Sequence, residues 1–464
     1  MVRVARSCPD FPWCAGAAVL LVALIVRCAV LLVTPGSLQT DPDGYRAVAE
    51  NLVHYGTFGT GQNPTAYRPP LYPCLLAGCV ALGPASRVAI ALLHLALGIG
   101  TVWLTYRLGR SCGLGRWAWL AAGLVACDPI LLAQSTLVMT ETLATFLAVA
   151  ALECLALAEQ RRSRRWAIAA GGAVGLCVLC RPTFLAWAIL VYVAFFKPVR
   201  SLWSAAVHRR VLGTAGSNST ESGGESPHSN ELRALAFMFA MAVAAVIAPW
   251  AIRNQIQFGR PIVTTTHGGY TLLLANNPDF YEYLRSAPAG TVWECSALDR
   301  AWAARMPRGT PADEVRADRM AYADAFQNIR NEPAMFCYAS LVRIGRLYSL
   351  APHQVVANEG TLRRLVRYAV GAGYAIEFGL ALFGFVVIAG GRRHAKHQQG
   401  WIYSVLLVAC LTAAHAVYWT DMRMRAPLMP VLNIAVAWGL ASIGGRIRRR
   451  NPQKTNDLLA SETC

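Results

Sequence analysis

The chain has 464 residues, 55% hydrophobic and only 15% charged, with a formal net charge of +18. Apolar runs of membrane-spanning length recur along it, which excludes a soluble globular domain and sets the class as an all-α polytopic membrane protein. The basic residues gather in short tracts between those runs, so the charge reads as a topology signal, not as a nucleic-acid surface.

The N-terminus carries Arg3 and Arg6 ahead of an apolar run to about Val33, without a small-x-small cleavage site. It reads as an uncleaved signal anchor with the N-terminus inside. The span 14–34 opens an N-terminal transmembrane module, 14–196. A first extracytoplasmic loop, 35–86, follows and contains a short apolar helix at 71–83. Span 87–106 returns to the basic loop Arg107–Arg116, 117–133 goes out to a short loop at 134–141, and 142–158 comes back to Arg161–Arg165. The segments 166–180 and 183–196 form a hairpin with Arg181-Pro182 at its outer tip. Residues 197–232 are a Ser/Gly-rich, disordered cytoplasmic loop, which makes the sequon at Asn218 a chance match.

Span 233–252 leads into an extracytoplasmic region, 253–350. Within it, 312–332 has helical spacing, with Val315, Met320, Ala323 and Phe326 roughly on one face. Residues 335–350 read as an interfacial amphipathic helix carrying Arg343 and Arg346. A C-terminal transmembrane module, 351–444, holds spans 369–390, 401–419 and 426–444, and a basic cytoplasmic tail, 445–464, ends the chain. The scheme has about ten spans with both termini inside. The 14 cysteines lie mostly in apolar runs and read as small core hydrophobes. Cys177 and Cys180 are expected to pack, and Cys295 and Cys337 are a candidate disulfide.

The two large polar loops share the outer side, and candidate chemistry collects on them. Asp41 and Asp43 sit just beyond the first span, where charge is costly and usually functional. A carboxylate there can deprotonate a nucleophile or hold a divalent metal, and the bland alternative is that Asp41 caps the helix 42–54. Tyr45 lies four residues after Asp41, on the same face if the helix begins that early. Arg68, ahead of Pro69-Pro70, can bind phosphate through its planar fork or pair with lipid headgroups. Glu141 caps its span or positions an acceptor. Arg253, with Asn254 beside it, lies outside against the charge rule, which tilts it toward a ligand. The stretch from Thr264 to Tyr270, followed by Asn276-Asn277-Pro278, offers small hydrogen-bonding groups for sugar hydroxyls or simply makes turns. Arg423 and Arg425, again outside, suit an anionic headgroup, with a salt bridge to Asp421 as the alternative. No phosphate loop, dinucleotide fingerprint or nucleophile elbow with its partners stands out. His267 by itself is not a metal site.

These features together resemble the GT-C superfamily of integral-membrane glycosyltransferases, in the bacterial branch related to protein O-mannosyltransferases and lipid A aminoarabinose transferase. The resemblance is carried by DPDGYRAVAENLVHYGTFG at 41–59, RPPLYPCLLAG at 68–78, TET at 140–142, RPTFL at 181–185, PWAIRNQIQFGRPIV at 249–263, NNP at 276–278 and RMRAPLMP at 423–430. It implies transfer of a sugar from a polyprenyl-phosphate carrier to an acceptor (protein, lipid or glycan) on the extracytoplasmic face of the inner, or plasma, membrane. It also implies Asp41 as base, and Arg68, Arg253, Arg423 and Arg425 as holders of the carrier phosphate. The family's Asp-Glu pair is Asp-Pro here, with Asp43 two residues on, so either acid is open as base. No cofactor is certain and a divalent metal is possible. The rival class is a transporter or flippase for a lipid-linked sugar, which needs broken or polar helices near the midplane.

Overall fold

The computed structural model describes residues 12–34, 36–195, 227–287, 292–352, 359–390 and 395–450. Among them six helices are long and apolar enough to cross a membrane: Ala15–Val33, Gly83–Ser111, Glu141–Arg161, Glu231–Phe258, Thr361–Ala389 and Met422–Gly444. The remaining expected spans are shorter helices. The run 117–133 is split into α5 (Ala118–Cys127) and α6 (Pro129–Gln134). Pro129 lacks the N–H a continuing helix would use, and the Asp128 carboxylate accepts from Leu131 N, so a new helix starts there. The hairpin is α8 (Arg164–Cys180) and α9 (Phe184–Ala194), turning at Arg181 as expected.

In chain order the first half also holds α1 (Pro12–Val33), α2 (Tyr45–Tyr55), α3 (Leu71–Val80), α4 (Ser86–Ser111) and α7 (Glu141–Arg161). The second half runs α10 (Pro227–Phe258), α11 (Gly268–Ala275), α12 (Pro278–Ser286), α13 (Ser296–Arg305), α14 (Pro311–Asn331), α15 (Pro333–Leu347), α16 (Thr361–Gly390), α17 (Ala395–Val417) and α18 (Met429–Arg450). The expected loop 197–232 falls outside the described residues as far as 226, and α10 already begins at Pro227. A two-residue β-hairpin, Gly59–Thr60 with Asn63–Pro64, lies in the first polar loop.

The bundle is tied by small residues that let backbones approach, as membrane packing requires. α8 lies on α10 so closely that a Cβ at Gly171 would sit 2.3 Å from the Phe239 carbonyl. α16 meets α18 in the same way at Gly384, against the Ala435 carbonyl. α7, buried along most of its length, forms the centre between α4 and α8.

Two expectations are corrected. The buried positions of α14 are Ala321 and Ala325, and Phe326 is 49% exposed. Its inner face follows Glu314, Asp318, Ala321 and Ala325, because α14 packs small residues against α11. Cys295 and Cys337 are free: the Cys295 thiol donates to Asp299, and Cys337 is exposed. Cys177 and Cys180 are fully buried and packed, as expected.

Candidate active site

The two polar loops meet on one side of the bundle. Thr266 N donates to Ala66 O at 3.0 Å, and Glu314 of α14 accepts from Thr65 Oγ1 (2.7 Å), Ala66 N (2.8 Å) and Thr266 Oγ1. Arg253, near the end of α10, donates to Thr65 O at 2.8 Å and Phe58 O at 2.9 Å. Residues 65 and 66 are thereby fixed, and they lead straight into Tyr67 and Arg68.

Against this frame four chain segments bring charge together. Arg68 lies 3.9 Å from Asp43, and Arg423 lies 3.6 Å from the other oxygen of Asp43. Arg423 also stands 3.8 Å from Glu141 and 3.3 Å from Asp421. Arg181, at the hairpin tip, pairs with Glu141 at 3.1 Å. Glu141 is almost fully buried at the start of α7, where the positive helix end favours a carboxylate. Its Oε2 has no hydrogen-bond partner. Three guanidiniums thus share two central carboxylates, and these anions sit where a ligand phosphate could replace them.

Tyr45 opens α2 beneath this cluster. Arg68 stands 5.3 Å from its ring centre, and Tyr72 meets it edge-on at 5.5 Å. Burial pushes the Tyr45 hydroxyl up to about 12, so it stays protonated at neutral pH. Asp41 precedes the same helix. Its Oδ2 accepts from Ala47 N at 2.9 Å, while its Oδ1 is buried without a hydrogen-bond partner. One oxygen of Asp41 thus caps the start of α2 and the other is left without a hydrogen-bond partner.

A cavity of about 920 Å³ opens from the cluster. Asp43, Tyr67, Arg68, Tyr270, Trp302, Glu314 and Asp318 are among the residues that line it. Asp41 is not among its lining residues. Burial holds the Asp318 carboxyl above its ordinary range although Gly269 N donates to it. His267 packs against Tyr67 with ring centres 4.2 Å apart and the planes tilted by 55°. Burial, with the charge of Arg68 adding to it, pushes its pKa down to about 3. Among the described residues no group of three or more His, Cys, Asp or Glu side chains is arranged to hold a metal ion.

Of the residues expected from sequence, Asp43, Tyr45, Arg68, Glu141 and Arg423 converge, with Asp41 adjoining. Arg253, Asn254, Asn276 and Arg425 lie elsewhere. Arg253 is used up on carbonyls and on the rings of Trp250 and Phe258. Asn254 accepts from Arg253 and donates to Ile262 O, and Asn276 ties α11 to Val417 O. Arg425 is buried against Tyr374 and Phe378. Sequence reading overlooked Glu314 and Asp318, whose i,i+4 spacing on α14 was the available signal. It left Arg181 open, as a charged hairpin tip that could equally be a topology marker.

Comparison with known proteins agrees with this architecture. Residues 67–215 match the family described as dolichyl-phosphate-mannose-protein mannosyltransferase. No curated protein matches the chain by sequence. Among solved structures the fold is similar to the oligosaccharyltransferase AglB of Archaeoglobus fulgidus, solved with an inhibitory peptide and a dolichol-phosphate (TM-score 0.53, 16% identity, 95% of this chain and 52% of the other). The apo form from the same organism gives a TM-score of 0.51 at 14% identity, with 95% and 52% covered. ArnT of Cupriavidus metallidurans, bound to undecaprenyl phosphate, is also matched (TM-score 0.39, 13% identity, 96% and 81% covered). The chain spans about half the length of the archaeal enzyme. The fold is shared with the archaeal oligosaccharyltransferase, and the family match over residues 67–215 agrees with the resemblance read from the sequence.

Proposed function

We propose that the protein transfers a sugar from a polyprenyl-phosphate carrier to an acceptor, on the extracytoplasmic face of the inner, or plasma, membrane. The observation that carries this reading is the convergence of Arg68, Arg181 and Arg423 on Asp43 and Glu141 beside a cavity of about 920 Å³. The archaeal enzyme of similar fold was solved with a dolichol-phosphate, which supports a lipid-linked phosphate as the ligand.

In this reading Arg68 and Arg423 take the carrier phosphate in exchange for their contacts with Asp43. Their charge stabilises the phosphate as it leaves the anomeric carbon. Asp41 keeps one buried oxygen unpartnered and receives the acceptor proton through it, whereas both oxygens of Asp43 already have guanidinium partners. Direct displacement inverts the anomeric centre. Tyr45 and Glu141 line up the arginines.

A broken helix with buried charge, as at Asp128, is what a transporter of a lipid-linked sugar would use. There Arg27 fills the carbonyl end of α5, donating to Ala126 O at 3.0 Å and Val125 O at 3.4 Å, in the place a transported cation would take. That favours the transferase.

The test is transfer from polyprenyl-phosphate sugars in membranes carrying Asp41→Asn or Asp43→Asn. Asp41→Asn is expected to lose roughly 10²–10⁴-fold, the span of a lost general base, and Asp43→Asn about tenfold or less. The reverse ranking reassigns the base, and full activity in both variants sinks the mechanism.

A further inference from the structure

Arg425 stands two residues from Arg423 on one short 3-10 turn, Met422–Leu428, yet it contributes nothing directly to the charge cluster. It is fully buried. Its Nη1 donates to Leu347 O (3.2 Å) and to Ser349 O, gripping the exit of the interfacial helix α15. Its guanidinium carbon lies 4.3 Å from the ring centre of Tyr374 and 4.9 Å from that of Phe378, both on α16. The Tyr374 hydroxyl then donates to Asp128 Oδ1 at 3.3 Å and accepts from Ile130 N at 3.1 Å, at the break between α5 and α6. A chain of contacts therefore runs from the broken helix, through Tyr374, to the turn that carries Arg423.

On the opposite side of the same turn, Asp421 caps it by accepting from Arg423 N at 2.6 Å. The turn follows a tight 3-10 path that contains Pro427, and it is also held by the burial of Met422, Ala426, Pro427 and Leu428 and by Arg181, which contacts Met424 Sδ. A short irregular segment that must hold a cation against two carboxylates needs an external grip, because its own hydrogen bonding does not fix its pitch. Arg425 is that grip. Its planar fork and flat face suit two carbonyls and a tyrosine ring at once, which a lysine cannot match.

The geometry points to Arg425, Tyr374 and Asp128 as a positioning relay that sets where Arg423 meets the anionic end of the ligand. The inference rests on the reading of Arg423 as a carrier-phosphate ligand, and it assigns to Arg425 a role other than phosphate contact. Such a relay acts through Arg423, so its effect must vanish when Arg423 is gone. A general packing role would weaken binding by the same factor in both backgrounds.

The experiment measures the affinity of the detergent-solubilised full chain for undecaprenyl phosphate by native mass spectrometry. The proteins compared are the parent, Arg425→Lys, Tyr374→Phe, Arg423→Ala and the two double variants. Arg423→Ala is expected to weaken binding at least about tenfold, the loss of a charge-assisted contact. Arg425→Lys and Tyr374→Phe are each expected to weaken it about three- to fivefold with Arg423 present and by less than about 1.5-fold in its absence. Equal losses in both backgrounds overturn the relay while leaving the carrier-binding reading intact. If Arg423→Ala itself leaves affinity unchanged, the reading of Arg423 fails, and the relay with it. Should Arg425→Lys not fold, Tyr374→Phe, which removes one hydroxyl and keeps the ring, decides the matter alone.

Discussion

Two sets of buried or half-buried arginines differ in the partners they keep. In the bundle and at its edges, Arg27, Arg253, Arg343 and Arg425 donate to backbone carbonyls, at Ala126, Thr65, Ala275 and Leu347 among others. At the site, Arg68, Arg181 and Arg423 meet carboxylates instead. A carbonyl held in the fold cannot be exchanged, so the first set is fixed as rivets that satisfy helix ends where water is scarce. A carboxylate partner is an anion, and in the proposed reading a ligand phosphate takes its place at the second set. Having a guanidinium outside the membrane says little about function; the kind of partner it keeps says much more.

The strongest way to break that contrast is to remove one member of the exchangeable set. Arg68→Ala or Arg423→Ala is expected to weaken undecaprenyl phosphate binding by roughly 10–100-fold, as one or two charge-assisted hydrogen bonds are lost. Folding should be retained, judged by elution as a single species in detergent. Unchanged affinity in both variants would erase the distinction.

Arg253→Ala should behave in the opposite manner. Losing its grip on Thr65 O and Phe58 O is expected to cost about 2–3 kcal/mol of stability, read as a lowered thermal midpoint and faster proteolysis between residues 56 and 66. Carrier affinity should change by only a few-fold. A large affinity loss at unchanged stability would move Arg253 into the ligand-binding set.

A smaller effect is expected from His267. Burial, with Arg68 adding to it, holds its pKa near 3 in the folded chain against an ordinary 6.5. The unfolded chain therefore binds a proton in the window from about 6.5 down to about 3 that the folded chain refuses. Stability contributed at neutral pH is lost as pH falls through that window. Thermal midpoints at pH 7.5 and pH 5 should differ less in His267→Asn than in the parent, and an identical drop would show that His267 is not responsible.

The smallest effect tests the corrected face of α14. Phe326→Ser, at an exposed position, should shift stability by less than about 0.5 kcal/mol, whereas Ala321→Phe should not be tolerated against α11. A stability loss at Phe326 would return it to the core.

Much of this was legible along the chain. Length of apolar runs and the placement of Lys and Arg set the membrane class, the order of helices and the two outer loops, because the bilayer imposes those features locally. The acid pair at 41 and 43, Arg68, Glu141 and Arg423 were visible as charges at helix edges, where burial makes them expensive. The break at Asp128-Pro129 was legible as well, from a missing N–H and a capping side chain, although a continuous apolar count masked it.

What the sequence could not separate was Arg423 from Arg425, or Arg253 from Arg68. All four are arginines near the ends of apolar helices, and only the folded chain decides that two of them face carboxylates while two are spent on carbonyls and rings. The same holds for Asp41 and Asp43, distinguished by which oxygens are already occupied. Hydrogen-bond partners drawn from segments hundreds of residues apart have no trace in local spacing. Sequence determined which groups stand at the ends of the apolar helices, and tertiary structure decided which of them pair with carboxylates and which with carbonyls.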